Sequence, residues 1–137
     1  MHAREMIGTH PAVQGQVNDA LIRCIEECYS SAQTCTSCAD ACLSERNVEH
    51  LVACIRLNLD CAAVCSATGS IMSRANKAGH RQLIEALLAN CVAFCRACAT
   101  SCAKHAEMHH HCRVCEEACT ACAEECTDML STMRMPA

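Results

Sequence analysis

Apolar and polar positions along this chain recur in steps of three and four, the period of a helix that turns one face inward. The first such stripe runs from about Gln14 to Leu43, where Val17 and Leu21 lead into Cys24, Cys28, Cys35, Cys38 and Cys42. Ser31 fills its skipped position. The polar run from Ser44 to Asn47 breaks the pattern and offers Ser44 or Asn47 as an N-cap for the next helix. A second stripe carries His50, Cys54, Asn58, Cys61, Cys65 and Met72, with Asn76, Lys77 and Gly79 as stop signals and Gly69 as a local weak point. In the third, Ile84, Leu87 and Leu88 lead into Cys91, Cys95, Cys98 and Cys102, and His105 continues the arc. The fourth holds Cys112, Cys115, Cys119, Cys122 and Cys126, then Met129, Leu130 and Met133 ahead of Pro136. Between the last two, His105 to His111 contains neither Gly nor Pro. A single helix over residues 80–132 would be close to 80 Å long, so a break is expected near His109.

These stripes predict helices over residues 14–43, 47–76, 80–107 and 109–133, preceded by an N-terminal segment, residues 1–13, with room for a short helix before Pro11. Four long helices joined by short links fit an all-α fold, an antiparallel four-helix bundle with a Cys-lined core. Up-down-up-down order gathers Val17, Leu21, Met72, Ile84, Leu88, Leu130 and Met133 at one end as an apolar plug. Met72, Met129 and Met133 read as packing rather than as thioether ligands. Ile25, Ile55, Leu59 and Phe94 supply further apolar surface outside the thiol stripes. The opposite end opens beside Cys42, Cys54, Cys102 and Cys112.

The fourth stripe shows why the core is chemical. On a helix its five cysteines fall within an arc of roughly 80° and climb about 21 Å. Neighbours three or four apart have Cβ atoms about 5–6 Å apart, against the roughly 3.5–4.5 Å that a disulfide needs. They cannot pair while the helix stays intact. Zinc-ribbon pairs sit on turns and close one site from four converging ligands, whereas here the row runs on without a turn. A metal ion shared by two sulfurs, at about 2.3 Å from each, spans such a gap.

Composition narrows the class. Of 137 residues 17 are Cys, against four Gly, two Pro, one Tyr, one Phe and no Trp, which does not resemble a loop-rich secreted disulfide scaffold. The cysteine count is odd, and the first residues show no apolar run of a signal peptide, so reduced cytoplasmic thiols are expected. No apolar stretch is expected to reach membrane-spanning length. The net charge of −4 gives no basic footprint for nucleic acid.

Soft thiolates select Cu(I), Zn(II) or iron–sulfur clusters, and bound thiols lose their protons. If all 17 thiols ionised, four tetrahedral Zn(II) ions would leave about nine negative charges in a narrow core, which is prohibitive. Cu(I) at about one ion per thiolate brings the lumen to neutrality. Iron–sulfur clusters draw their cysteines from loops, which straight helical rows do not supply. A metallothionein-like Zn(II) or Cd(II) binder and an interaction bundle with redox-sensing cysteines are the alternatives. All 17 cysteines are candidate ligands. His50, His105, Met108 and His109 are candidates at the open end, with solvated surface as their other reading and His110 and His111 as weaker ones. Asn58 is a lumen ligand or a hydrogen-bonded core asparagine. The Glu107-x-x-His110 pair resembles half of a di-iron motif, but the further inward Glu that such a site needs are missing.

The segments CIEEC, CTSCADAC, CAAVC, CVAFCRACATSC and CRVCEEACTACAEEC resemble the bacterial copper storage proteins, in their cytosolic branch without an export signal. The resemblance covers residues 14–133. It implies a non-enzymatic cytoplasmic protein, a homotetramer that reversibly holds many Cu(I) ions, and an open end containing histidines.

Overall fold

The computed structural model describes residues 1–74 and 79–134. Asn76, Lys77 and Pro136, expected to mark helix ends, lie outside the described residues. Among the described residues five helices occur in order: α1 (Ala3–Gly8), α2 (Asp19–Leu43), α3 (Val52–Met72), α4 (Arg81–Ala103) and α5 (His110–Arg134), with one 3-10 turn at Val48–His50. Each of α2 to α5 packs against two others, α2 on α3 and α5, and α4 on α3 and α5. The all-α bundle expected from the stripes is therefore the fold.

The helix ends depart from expectation for local reasons. Gln14 and Gly15 take φ of 53° and 81°, left-handed values that no helix continues through. The first long helix therefore begins at Asp19 rather than near Gln14. Asn18 caps it, its side-chain oxygen accepting from the backbone N–H of Ala20 at 2.9 Å. Neither Ser44 nor Asn47 caps the next helix as expected. Ser44 instead ends α2, and Asn47 precedes the 3-10 turn without a side-chain cap bond. Gly79, at φ 82°, turns the chain just before α4.

The third long helix stops at Ala103, short of residue 107. His105 N–H donates to Cys102 O at 3.0 Å, a three-residue step that tightens the last turn and ends the helix. Helical pairing resumes where Cys112 N–H donates to His109 O at 3.0 Å.

The apolar end is sealed as the stripes imply. Met72, Ile84, Leu88, Met129 and Leu130 are buried there, with Val17, Leu21 and Met133 half-buried around them. Helix α1 packs on α2 and adds buried Ile7. Of the outer residues, Ile25 and Ile55 are buried whereas Leu59 is 50% exposed. In α3 and α4, mean hydropathy reaches 1.2 and 1.5 over 18 residues, so both are long and apolar enough to cross a membrane, contrary to expectation. Their inward cysteines raise the value, since a thiol counts as an apolar group. Core helices of a bundle have this same property.

Gly69 has a packing reason. A Cβ there would lie 3.1 Å from Tyr29 Cε2, because the ring lies against the α3 backbone. Gly69→Leu should displace the ring and lower the stability of the reduced metal-free protein by about 1–3 kcal/mol in guanidinium unfolding. The unmutated metal-free protein should already be strongly helical by circular dichroism. A coil spectrum would mean that the chain folds only around its metal.

A candidate metal centre made of stacked thiols

The helical period places a sulfur on the inner face at nearly every turn of α2, α4 and α5, and α3 adds Cys54, Cys61 and Cys65. All 17 cysteines are free, and none is more than 2% exposed. The sulfurs approach across helices as well as along them. Cys35 lies 3.4 Å from Cys119, Cys65 lies 3.4 Å from Cys95, and Cys24 and Cys28 each lie 3.6 Å from Cys126. Nearer the open end Cys54 sits 3.7 Å from Cys102, and Cys42 4.0 Å from Cys112. Each separation far exceeds the roughly 2.05 Å of a disulfide. Two sulfurs sharing one ion, at about 2.3 Å each and near-tetrahedral angles, would stand roughly 3.8 Å apart. The lattice already has that spacing.

The sulfurs form chains of overlapping groups rather than separate sites. Cys28, Cys91, Cys122 and Cys126 make one group and Cys65, Cys91, Cys95 and Cys122 another, so Cys91 and Cys122 belong to both. Toward the open end, Cys35, Cys98, Cys115 and Cys119 share Cys115 with a trio completed by Cys38 and Cys102. The last group is Cys38, Cys42, Cys112 and His111. Between the two halves Ser31 Oγ lies 3.6 Å from Cys65, 3.7 Å from Cys119 and 3.9 Å from Cys35. Asn58 accepts at Oδ1 from the thiols of Cys98 at 2.9 Å, Cys115 at 3.3 Å and Cys102 at 3.5 Å.

These thiols do not share one acidity. A sulfur that accepts S–H bonds is stabilised as thiolate, and its donors are held protonated. Bonds from Cys126 and Cys28 bring Cys24 down to about 5. Cys115 leads the bonds that bring Cys35 to about 5, and Cys122 those that bring Cys65 to about 5. Cys91, Cys102 and Cys119 are lowered in the same way, through Cys122 for the first and Cys115 for the others. The neighbours move oppositely: Cys102 holds up Cys98 and Cys54, and Cys126 holds up Cys122. At the open end burial leads, raising Cys42 and pushing Cys112 up to about 12.

The open end is built differently from the row that the sequence suggests. His50 closes the 3-10 turn with its side chain 73% exposed and its Nε2 3.8 Å from Glu49. Met108 is likewise in solvent, and His105 is half-buried in the turn after α4. His109 is largely buried, with Nδ1 2.8 Å from Glu45 Oε2. The imidazole that meets the sulfurs is that of His111, whose Nδ1 lies 3.4 Å from Cys38 Sγ and 3.6 Å from Cys112 Sγ. The step-of-three-and-four arc through His105 and His109 presumes an unbroken helix. Because α4 ends at Ala103 and α5 starts at His110, that register is lost across the turn, and the residue beside Cys112 takes the position instead.

Seventeen buried thiols on the facing stripes of a four-helix bundle define a thiolate-lined metal-binding bundle. This chain belongs to the copper storage protein family, whose model matches residues 17–131. The Streptomyces lividans copper storage protein Ccsp loaded with 10 copper equivalents is similar at 47% identity and a TM-score of 0.88, covering 94% of this chain and 98% of that one. The Cu(I)-bound copper storage protein BsCsp3 is similar at 36% identity and a TM-score of 0.69, covering 78% and 94% respectively. Among curated relatives, the cysteine-rich protein YhjQ of Bacillus subtilis is 37% identical over 106 residues, 77% of this chain and 92% of its own length.

Burial of every sulfur has a direct chemical consequence. A bulky disulfide reagent should react slowly with the native metal-free protein and should then titrate all 17 thiols in guanidinium. Rapid reaction of most of them without denaturant would contradict the closed lumen.

Proposed function

We propose that this chain stores and buffers Cu(I), with the 17 cysteines as its ligands. The observation that carries this reading is the continuous lattice of buried sulfurs, whose groups overlap through Cys91, Cys122, Cys115 and Cys38. Overlap favours an ion content that grows along the ladder over a few isolated tetrahedral sites. Charge favours a monovalent ion, since one Cu(I) per thiolate leaves a neutral core, whereas Zn(II) in four-sulfur sites leaves a large buried negative charge. A copper-loaded relative at 47% identity agrees with this choice. His111 Nδ1 completes the outermost group, and Asn58 Oδ1 offers an oxygen among three sulfurs. The role is storage without catalysis.

The protein works in the cytoplasm, where reduced thiols persist, and a neighbour from Streptomyces lividans is described as a cytosolic copper storage protein. It assembles as a homotetramer, as the family resemblance implies, with exposed Val52, Leu59 and Leu83 as apolar surface. Light scattering of the reduced protein measures that state directly.

Anaerobic Cu(I) titration of the reduced protein, followed by gel filtration and metal analysis, should reach about 17 ions per chain within a few, given one monovalent ion per buried thiolate. Saturation at four or fewer would reject storage in favour of a few discrete sites. The raised thiols must lose protons to bind. Loading in weak buffer should therefore acidify the solution, and affinity should fall as pH falls, because protons then compete for the sulfurs. A pH-stat trace with no acid released would contradict a lumen that is mainly protonated before loading.

A further inference from the structure

One carboxylate at the mouth belongs to no sequence pattern. Glu45 lies in the turn after α2, its own N–H donating to Cys42 O at 3.2 Å. Its Oε2 reaches across to the α4–α5 junction, 2.8 Å from His109 Nδ1 and 2.9 Å from His111 Nε2. An ionised carboxylate only accepts, so both of these ring nitrogens carry hydrogen, and in a neutral imidazole the other nitrogen is then a bare acceptor. In their neutral forms the two rings facing this one oxygen would be opposite tautomers, Nδ1–H at His109 and Nε2–H at His111. The rings stack, 5.5 Å apart at 17°.

The bare nitrogen of His111 stands among sulfurs, and that of His109 is buried without a partner. His111 Nδ1 faces Cys38 and Cys112. His109 has a side chain only 10% exposed, and among the described residues its Nε2 is buried without a hydrogen-bond partner. A buried acceptor left unpaired is unfavourable, and a soft cation would satisfy it.

We propose that Glu45 is the positioning residue of the mouth: it fixes the tautomers of His109 and His111 so that both present bare nitrogens to incoming Cu(I). This rests on the Cu(I) storage reading above. The transfer exchanges Cu–N for Cu–S bonds at Cys38, Cys42 and Cys112. No electron moves, and the proton of each thiol that binds leaves to water. Orientation of a ligating imidazole by a carboxylate on its far nitrogen commonly changes metal affinity or activity about 10–100-fold.

The test uses the full chain in its reduced form, with Glu45→Ala and Glu45→Gln. Long-range nitrogen–proton NMR of the metal-free parent should show His109 as the Nδ1–H and His111 as the Nε2–H tautomer. In Glu45→Ala at least one ring should change tautomer, whereas Glu45→Gln, whose amide oxygen still accepts, should keep both. Stopped-flow Cu(I) loading should slow about tenfold or more in Glu45→Ala and stay close to the parent in Glu45→Gln, with final copper content equal in all three. A merely structural role would not move the tautomers or be rescued by Gln. An Nε2–H tautomer at His109 in the parent overturns the proposal without any variant, as does parental loading by Glu45→Ala. Failure of the parent itself to take up Cu(I) would reject storage and would leave the tautomer result readable.

Discussion

Everything in this bundle depends on the mismatch between helical pitch and disulfide geometry. Sulfurs repeated every three or four residues cannot pair along their own helix. Across helices they approach to about 3.4–4.0 Å, close enough to share an ion. A thiol core is ordinarily a liability, because oxidation would join the nearest cysteines in arbitrary pairs. Within each helix the fixed pitch suppresses that outcome by keeping neighbouring sulfurs apart. The sulfur positions are therefore set by the fold before any metal arrives, unlike those of a small zinc domain that folds around its ion.

Such a core must still hold four helices together. A thiol packs as a small hydrophobe, but a lumen of Cys alone buries less apolar area than one of Leu and Ile. The structure compensates at the end farthest from His109 and His111, where Met72, Ile84, Leu88 and Leu130 close the bundle. Further up α2, Ile22 and Ile25 are almost wholly buried beside the thiol stripe. Stability and chemistry are thus separated along the bundle axis, and the mouth is free to carry polar groups that would weaken a plug.

The helices and the thiol face were legible in the sequence because one periodic signal encoded both. Cys112 to Cys126 cannot lie on one arc in any conformation but a helix. What the sequence did not reveal depends on where that period breaks. Residues 105–111 contain no Gly or Pro, so nothing marked Ala103 as the last residue of α4. An unbroken arc then pointed to His105 and His109, and His111 fell outside it. Glu45 was harder still, since it meets His109 and His111 only because two turns remote in sequence close the same end of the bundle. A contact between turns has no period.

Ser31 and Asn58, two oxygen-bearing residues inside the lumen, explain how it keeps its register when empty. Ser31 touches sulfurs of α2, α3 and α5, and Asn58 on α3 accepts from sulfurs of α4 and α5. Thiol–thiol contacts are weak and nearly alike, so sulfur alone would let the helices slide among similar arrangements. A hydroxyl and an amide demand particular partners, and a buried polar group that loses them is penalised by more than the bond itself contributes. Each therefore resists displacement of the helices it joins. Ser31 stands between the two sets of overlapping sulfur groups, and Asn58 lies nearer the mouth among the thiols that lead outward. Two polar pins thus hold the stripes in phase, so that the first ion meets sulfurs already spaced to receive it.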